Sequence, residues 1–201
     1  MGARGVTLHV VRADAVEPQR WQNGGGLTRE LLAWPDRGGP GGDWALRISV
    51  ADIGADGPFS AFAGVERWFA VLEGAGVRLA LPDGERSVKA GDAPLHFRGE
   101  AAPPCTLLAG PTRDLNLMIR RDAGQGAMQR ARAGEAFAPH ARLRALFTAD
   151  ACTLRIDGAD ALQLPAFALA WADGGTGAWR IEPAAGQPPR AWWLHFEPRP
   201  A

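Results

Sequence analysis

The sequence contains no tyrosine, so no phenol can serve as acid or base. Its only lysine is Lys89, leaving arginine as the working cation. Lys+Arg and Asp+Glu stand at 22 each, so no net field draws the chain to nucleic acid or to an anionic membrane. No apolar run approaches the roughly 20 residues a membrane helix requires. The start, "MGARGVTLHVVRADAV", has no apolar core followed by a cleavage signal. Val6 stands where a myristoylation signal needs Ser or Thr. A soluble cytoplasmic protein is the expectation. There are two cysteines, Cys105 and Cys152, far apart and in apolar strand-like runs. That placement predicts a reduced, buried pair. Neither cysteine has a flanking activation motif, and G-x-S-x-G is absent, which removes the familiar nucleophilic triads. The four histidines, His9, His96, His140 and His195, form no H-x-H or H-x-x-x-H pair, so no local metal motif is present.

What is present is a succession of short alternating runs. In "WALRISVAD", Trp44, Leu46, Ile48 and Val50 are expected on one face and Arg47 and Ser49 on the other. "DLNLMIRR" sets Leu115, Leu117 and Ile119 against Asp114, Asn116 and Met118. "VERWFAVLEG" and "VRLAL" read as two strands joined at Glu73–Gly76. The second half continues with "RLRALFT", "CTLRID", "ALQLP", "FALAWA", "AWRIE" and "AWWLHFE". Between the runs stand most of the 26 glycines and 16 prolines. Helical periodicity is nearly absent; "RADAVEPQRW" has room for a helical turn. Many short strands predict an all-β sandwich or barrel. The segment "DAGQGAMQRARAGEAF" breaks the pattern near residues 122–137 and divides the chain. Two small antiparallel β-barrels in one chain are the predicted architecture.

The stretch "RWQNGGGLTRE" looks at first like a phosphate loop. Such a loop needs a supporting helix after it, and here "LTRELLAW" reads as a strand with Pro35 soon after. Two readings stay open: a glycine turn feeding a strand, or small residues that let backbone approach a ligand. The polar strand residues Arg29, Glu30, Arg47, Ser49, Arg67, Asp114 and Asn116 also allow two readings. They form either a solvated outer face or the few polar groups of a ligand-holding interior. An arginine fork suits a carboxylate, making a small organic acid a chemically sensible ligand. Ser60, in "GPFSAF", is placed for local backbone hydrogen bonding. Spacing by itself does not choose between these readings.

The segments "WQNGGGLTREL", "WALRISVADI", "GPFSAFAGVERWFAVLEGAGVRL", "FRGE" and "DLNLMIRR" together resemble the HutD/Ves family of the cupin superfamily. They span residues 20 to 121 in the family's order. The resemblance implies a bicupin, with an N-terminal cupin barrel over 1–121 and a C-terminal cupin-like barrel over 122–201. It implies no established catalysis, no cofactor and no bound metal. It points to binding of a small carboxylic acid, N-formylglutamate-like, that moderates histidine utilisation. Homodimerisation is common among cupins, so a homodimer is part of the expectation. Carried over by motif, the ligand-binding candidates are Asn23, Thr28, Arg29, Glu30, Arg47, Ser49, Ser60, Arg67, Asp114, Asn116 and Met118, with Trp21, Gly24, Gly57, Pro58 and Phe59 as further family-typical positions. Arg47 and Asn116 are expected to point into the first barrel. Metal-bearing cupins carry two near-adjacent histidines in their first motif, and these are missing here. The alternative is a metal-dependent cupin enzyme acting on a small organic acid, with ligands drawn from His96 and distant carboxylates.

Overall fold

The computed structural model describes residues 7–35, 43–175, 177–184 and 188–200. It divides into two compact units, Val16–Gln125 and the combination of Met1–Ala15 with Gly126–Pro200.

In the first of these, one sheet has six strands in the order β2 (Gln19–Arg20), β3 (Gly26–Trp34), β4 (Leu46–Ile53), β11 (Thr112–Arg120), β6 (Val65–Glu73), β9 (Leu95–Arg98). Facing it is a four-stranded sheet, β5 (Gly57–Pro58), β10 (Pro104–Leu107), β7 (Val77–Leu81), β8 (Gly84–Val88). Ile53, Phe69 and Val71 from the first sheet pack with Val77, Leu79, Val88 and Cys105 from the second in one core. The two strands joined at Glu73–Gly76 are present as expected, but they do not pair with each other. The turn between them carries the chain from one sheet to the other, with Gly74 and Gly76 both at positive φ.

The other unit repeats the plan. Its five-stranded sheet runs β1 (Leu8–Arg12), β16 (Ala168–Asp173), β13 (Leu143–Thr148), β18 (Ala191–Pro198), β12 (Gly124–Arg130). Its three-stranded sheet runs β15 (Leu162–Leu164), β14 (Cys152–Ile156), β17 (Trp179–Pro183). Leu146, Ala170 and Trp193 meet Leu154, Leu164 and Ile181 between them. Two details depart from expectation. Residues 8–12 pair antiparallel with β16, so the first strand of the chain belongs with its C-terminal half. The segment expected to break the pattern near 122–137 contains β12, whose glycines and glutamines carry no alternation to betray a strand.

The all-β class is as expected. The two barrels are not closed, however: the hydrogen-bonded ladders end at edge strands, and each unit is a pair of facing sheets. The expected helical turn is a short 3-10 segment, Ala13–Ala15. Both cysteines are free and buried, one in each unit. Among the described residues no helix is long and apolar enough to cross a membrane.

The six-stranded sheet has an unusual distribution of polarity. Leu46, Ile48 and Val50 on β4 and Leu115, Leu117 and Ile119 on β11 are at most 1% exposed. They lie on the face turned away from the paired sheet. The face turned inward carries Arg47, Ser49, Arg67, Asp114 and Asn116, and four of these five are also buried. Both faces are thus shielded, and the polar stripe is the inner one. Trp44, expected to join the Leu46–Val50 face, precedes the strand and packs instead with Val65 and Met118.

On the opposite face, Asp52 accepts from Arg29 Nη1 at 2.6 Å and from Arg113 Nε at 2.6 Å. Burial would raise the Asp52 carboxyl, but the two arginines outweigh it and hold the group below its usual value. A depressed carboxyl contributes stability that is present above its unfolded pKa and lost as pH falls through the folded one. Asp52→Asn is expected to cost about 1 kcal/mol at neutral pH, given partial exposure. The difference from wild type should shrink in acid unfolding curves as pH falls below the ordinary carboxylate value. An unchanged difference across that range would show that the cluster is not what couples stability to pH.

Candidate functional site

Between the facing sheets of Val16–Gln125 lies a cavity of about 610 Å³. Its floor is the polar stripe: Arg47 and Ser49 from β4, Arg67 from β6, Asn116 and Met118 from β11. Its wall and mouth are Trp21, Asn23, Phe59, Ser60 and Phe62. The register explains the floor. Met118 pairs with Arg47 on one side and Arg67 on the other, so the two arginines flank one methionine across three adjacent strands. Asn116 pairs likewise with Ser49 and Phe69, one step along the same inward face.

The two arginines are held differently. Arg47 Nε donates to Glu30 Oε2 at 2.5 Å, and its Nη1 lies 3.9 Å from Met118 Sδ. Its charge is therefore matched by a carboxylate. Arg67 is 8% exposed and meets no carboxylate within ion-pair distance among the described residues. Its Nε and Nη2 both donate to Asn116 Oδ1, at 3.1 and 2.9 Å. Its guanidinium lies over Phe59, 4.6 Å from the ring centre, and 5.5 Å from that of Phe97. Burial pulls Arg67 down to about 10, which still leaves it charged at neutral pH. A buried cation whose hydrogen-bond partner is a neutral amide is an uncommon and costly arrangement.

Asp114 lies behind Asn116. It is 1% exposed, and its Oδ1 accepts a short hydrogen bond from Asn116 Nδ2. Its Oδ2 is buried with no partner among the described residues. Burial pushes the carboxyl up to about 8, against the pull of Arg67 and the Asn116 amide. At neutral pH Asp114 is mostly protonated. Among the described residues Asp114 makes no ion pair with Arg47, which pairs with Glu30.

The remaining candidates are placed as follows. Thr28 Oγ1 accepts from Trp21 Nε1 at 2.7 Å, which braces the tryptophan beside the cavity. Asn23 Oδ1 accepts from Gly25 N–H at 3.0 Å and shapes the rim. Ser60 is exposed at the mouth. Arg29 is not brought to the cavity; it sits on the opposite face with Asp52. Trp21 and Phe59 entered only as family-typical positions and Phe62 not at all, because aromatic residues near a turn look like ordinary core. The glycine run forms a turn: Trp21 N–H donates to Gly26 O and Gly24 N–H to Trp21 O, both at 3.0 Å.

His96, the histidine considered for a metal, stacks on Trp68 with ring centres 4.4 Å apart. Its Nε2 lies 2.6 Å from Glu66 Oε2. Trp68 alternates with Arg67 and Phe69, so this pair is on the face away from the cavity. Among the described residues no group of three or more His, Cys, Asp or Glu side chains gathers.

The HutD family model matches residues 13–187. The chain belongs to the HutD family. Among curated proteins, an uncharacterised 21.2 kDa protein of the hutC 3' region of Pseudomonas putida is 42% identical over 113 residues, 55% of this chain and 57% of that protein. Protein Ves of Citrobacter koseri is 38% identical over 103 residues, 51% and 52% of the two chains. The chain thus spans about half the length of the curated relatives it matches. Among solved structures, a conserved protein of unknown function from Pseudomonas aeruginosa PAO1 superposes with a TM-score of 0.85 at 30% identity, over 95% of this chain and 99% of that one. HutD from Pseudomonas fluorescens SBW25 gives 0.81 at 27%, over 96% and 100%. Oxalate decarboxylase of Bacillus subtilis, at 9% identity and a TM-score of 0.60, shares the cupin-type fold and no more.

Proposed function

We propose that this HutD-family chain binds a small carboxylic acid in the cavity at Arg67, without a metal, and through that binding moderates histidine utilisation. The observation that carries the binding is the buried Arg67 guanidinium, which faces the cavity and has only a neutral amide to answer its charge. A carboxylate placed there gains two parallel charge-assisted hydrogen bonds in a site largely removed from water. Ser49, Arg47 and the Asn23 rim offer further polar contacts, and the aromatic wall covers an apolar body. An N-formylglutamate-like acid has these parts. The link to histidine utilisation is supported by the family and by relatives named for HutD and for the hutC 3' region.

The test is a thermal-shift screen of metal-stripped protein against histidine, urocanate, formiminoglutamate, N-formylglutamate and glutamate, with and without divalent metals. A ligand that binds only the folded state raises stability by about 2.7 kcal/mol at a hundredfold excess over Kd. A shift with one acid and no metal is the expected result. A shift that requires metal would overturn the metal-independent reading, and silence across the panel would remove the acid.

A further inference from the structure

Arg67 carries only donors, so the Asn116 amide must present its oxygen to it. The NH2 group is thereby turned toward Asp114. The amide stands between the one buried carboxyl among the described residues and the one buried cation of this cavity that lacks a carboxylate. Without Asn116 these two groups would be natural partners. We infer that Asp114 is a latent counter-charge to Arg67, held off it by Asn116, and that the cavity accepts an anion only while Asp114 keeps its proton. The inference rests on the cavity being an acid-binding site.

The physical basis is charge crowding. A bound carboxylate and an ionised Asp114 would share a single buried cation, and like charges that close in a low dielectric do not both persist. The charges around Asp114 act in opposite senses. Arg67 on β6 favours its charged form, while Asp52 on β4 and burial oppose it. Cys105 on β10, itself pushed up to about 12 by burial and then by Asp114, is silent in the range that matters. Arg47 is matched by Glu30. With Arg67 at about 10 and Asp114 at about 8, the window between pH 7 and pH 9 isolates Asp114.

The sign follows directly. The protonated form binds, so affinity is full below about pH 8 and is lost as pH rises through that value. The probe is N-formylglutamate, with formate as a smaller carboxylate, titrated calorimetrically into wild-type protein. The apparent Kd is expected to rise about tenfold from pH 7 to pH 9, as the competent fraction falls. In two buffers of different ionisation enthalpy, binding at pH 8 is expected to take up about half a proton. Asp114→Asn should flatten the profile, bringing the pH 9 to pH 7 ratio of Kd near one, and its folding is checked by melting without ligand. Asn116→Asp places a permanent carboxylate on Arg67 and should abolish binding while melting no lower than wild type. A wild-type profile that is flat, with no proton taken up, overturns this inference and leaves acid binding intact. Failure of both acids to bind wild-type protein at pH 7 overturns the two together.

Discussion

Arg67→Met is expected to separate binding from folding. The substitution removes the forked donor that faces the cavity and keeps a side chain of similar length between Phe59 and Phe97. Truncating a buried charge partner typically costs about 2–4 kcal/mol of binding, a roughly 30- to 1,000-fold rise in Kd. The effect on the fold should be small. Arg67 has no ionised carboxylate within reach, so its removal orphans no buried anion. Replacing a buried ion by an apolar residue of similar volume is often neutral or stabilising. Asn116 Oδ1 loses its two donors, and water in the cavity can replace them. Stability is therefore expected within about 1 kcal/mol of wild type, read by chemical denaturation, while calorimetry with the acid from the screen loses its signal. Retained affinity in a folded variant would remove Arg67 from the site. Arg29→Met is the natural control for charge alone, since Arg29 lies on the other face of the same sheet.

Gly26→Ala should produce a large fall in stability for a small chemical change. A Cβ at Gly26 would lie 2.6 Å from the Asp52 carbonyl oxygen and 3.0 Å from two carbons of the Trp21 ring. Backbone and a braced indole are both poor at yielding: Trp21 is tied to Thr28 Oγ1, and Asp52 sits in the paired strand β4. Overpacking of this kind costs about 2–3 kcal/mol. For a chain of this size that corresponds to a fall in Tm of roughly 4–12 °C. Because Trp21 is also the cavity wall, affinity should fall with it. The adjacent Gly25→Ala meets its nearest atom, Asn23 Oδ1, at 3.3 Å and should cost much less. Equal melting points for the two variants would show that the loop, not the close approach, sets the cost.

The glycine run shows how far local reasoning reaches. Three consecutive glycines before an alternating run announce a turn into a strand, and the lack of a following helix excludes a phosphate loop. Which glycine has no room for a side chain depends on how the Trp21 ring is turned and on where β4 lies, and the glycine run itself fixes neither. The histidines show the same limit from the other side. His96 is the histidine offered as a metal ligand in the alternative reading, yet its neighbours across the sheet are Trp68 and Glu66. β1 is a further case: "LHVVR" reads as a strand, and nothing in it says that its partner stands some 160 residues away in β16.

Period-two alternation is a local property, imposed by the pleat, and it determined that Arg47 and Ser49 share one face, and Asp114, Asn116 and Met118 another. It also determined the all-β class, because no stretch has the helical period. Only the tertiary structure decided that these two polar stripes are the same inner face, that the apolar stripe opposite is buried as well, and that Glu30 rather than Asp114 answers Arg47. Alternation distinguishes two faces without saying which one another sheet will cover. The state of Asp114 lies further still from the sequence. A carboxyl takes its protonation from the water it has lost and the charges around it, and both are set by strands that meet only in the folded chain.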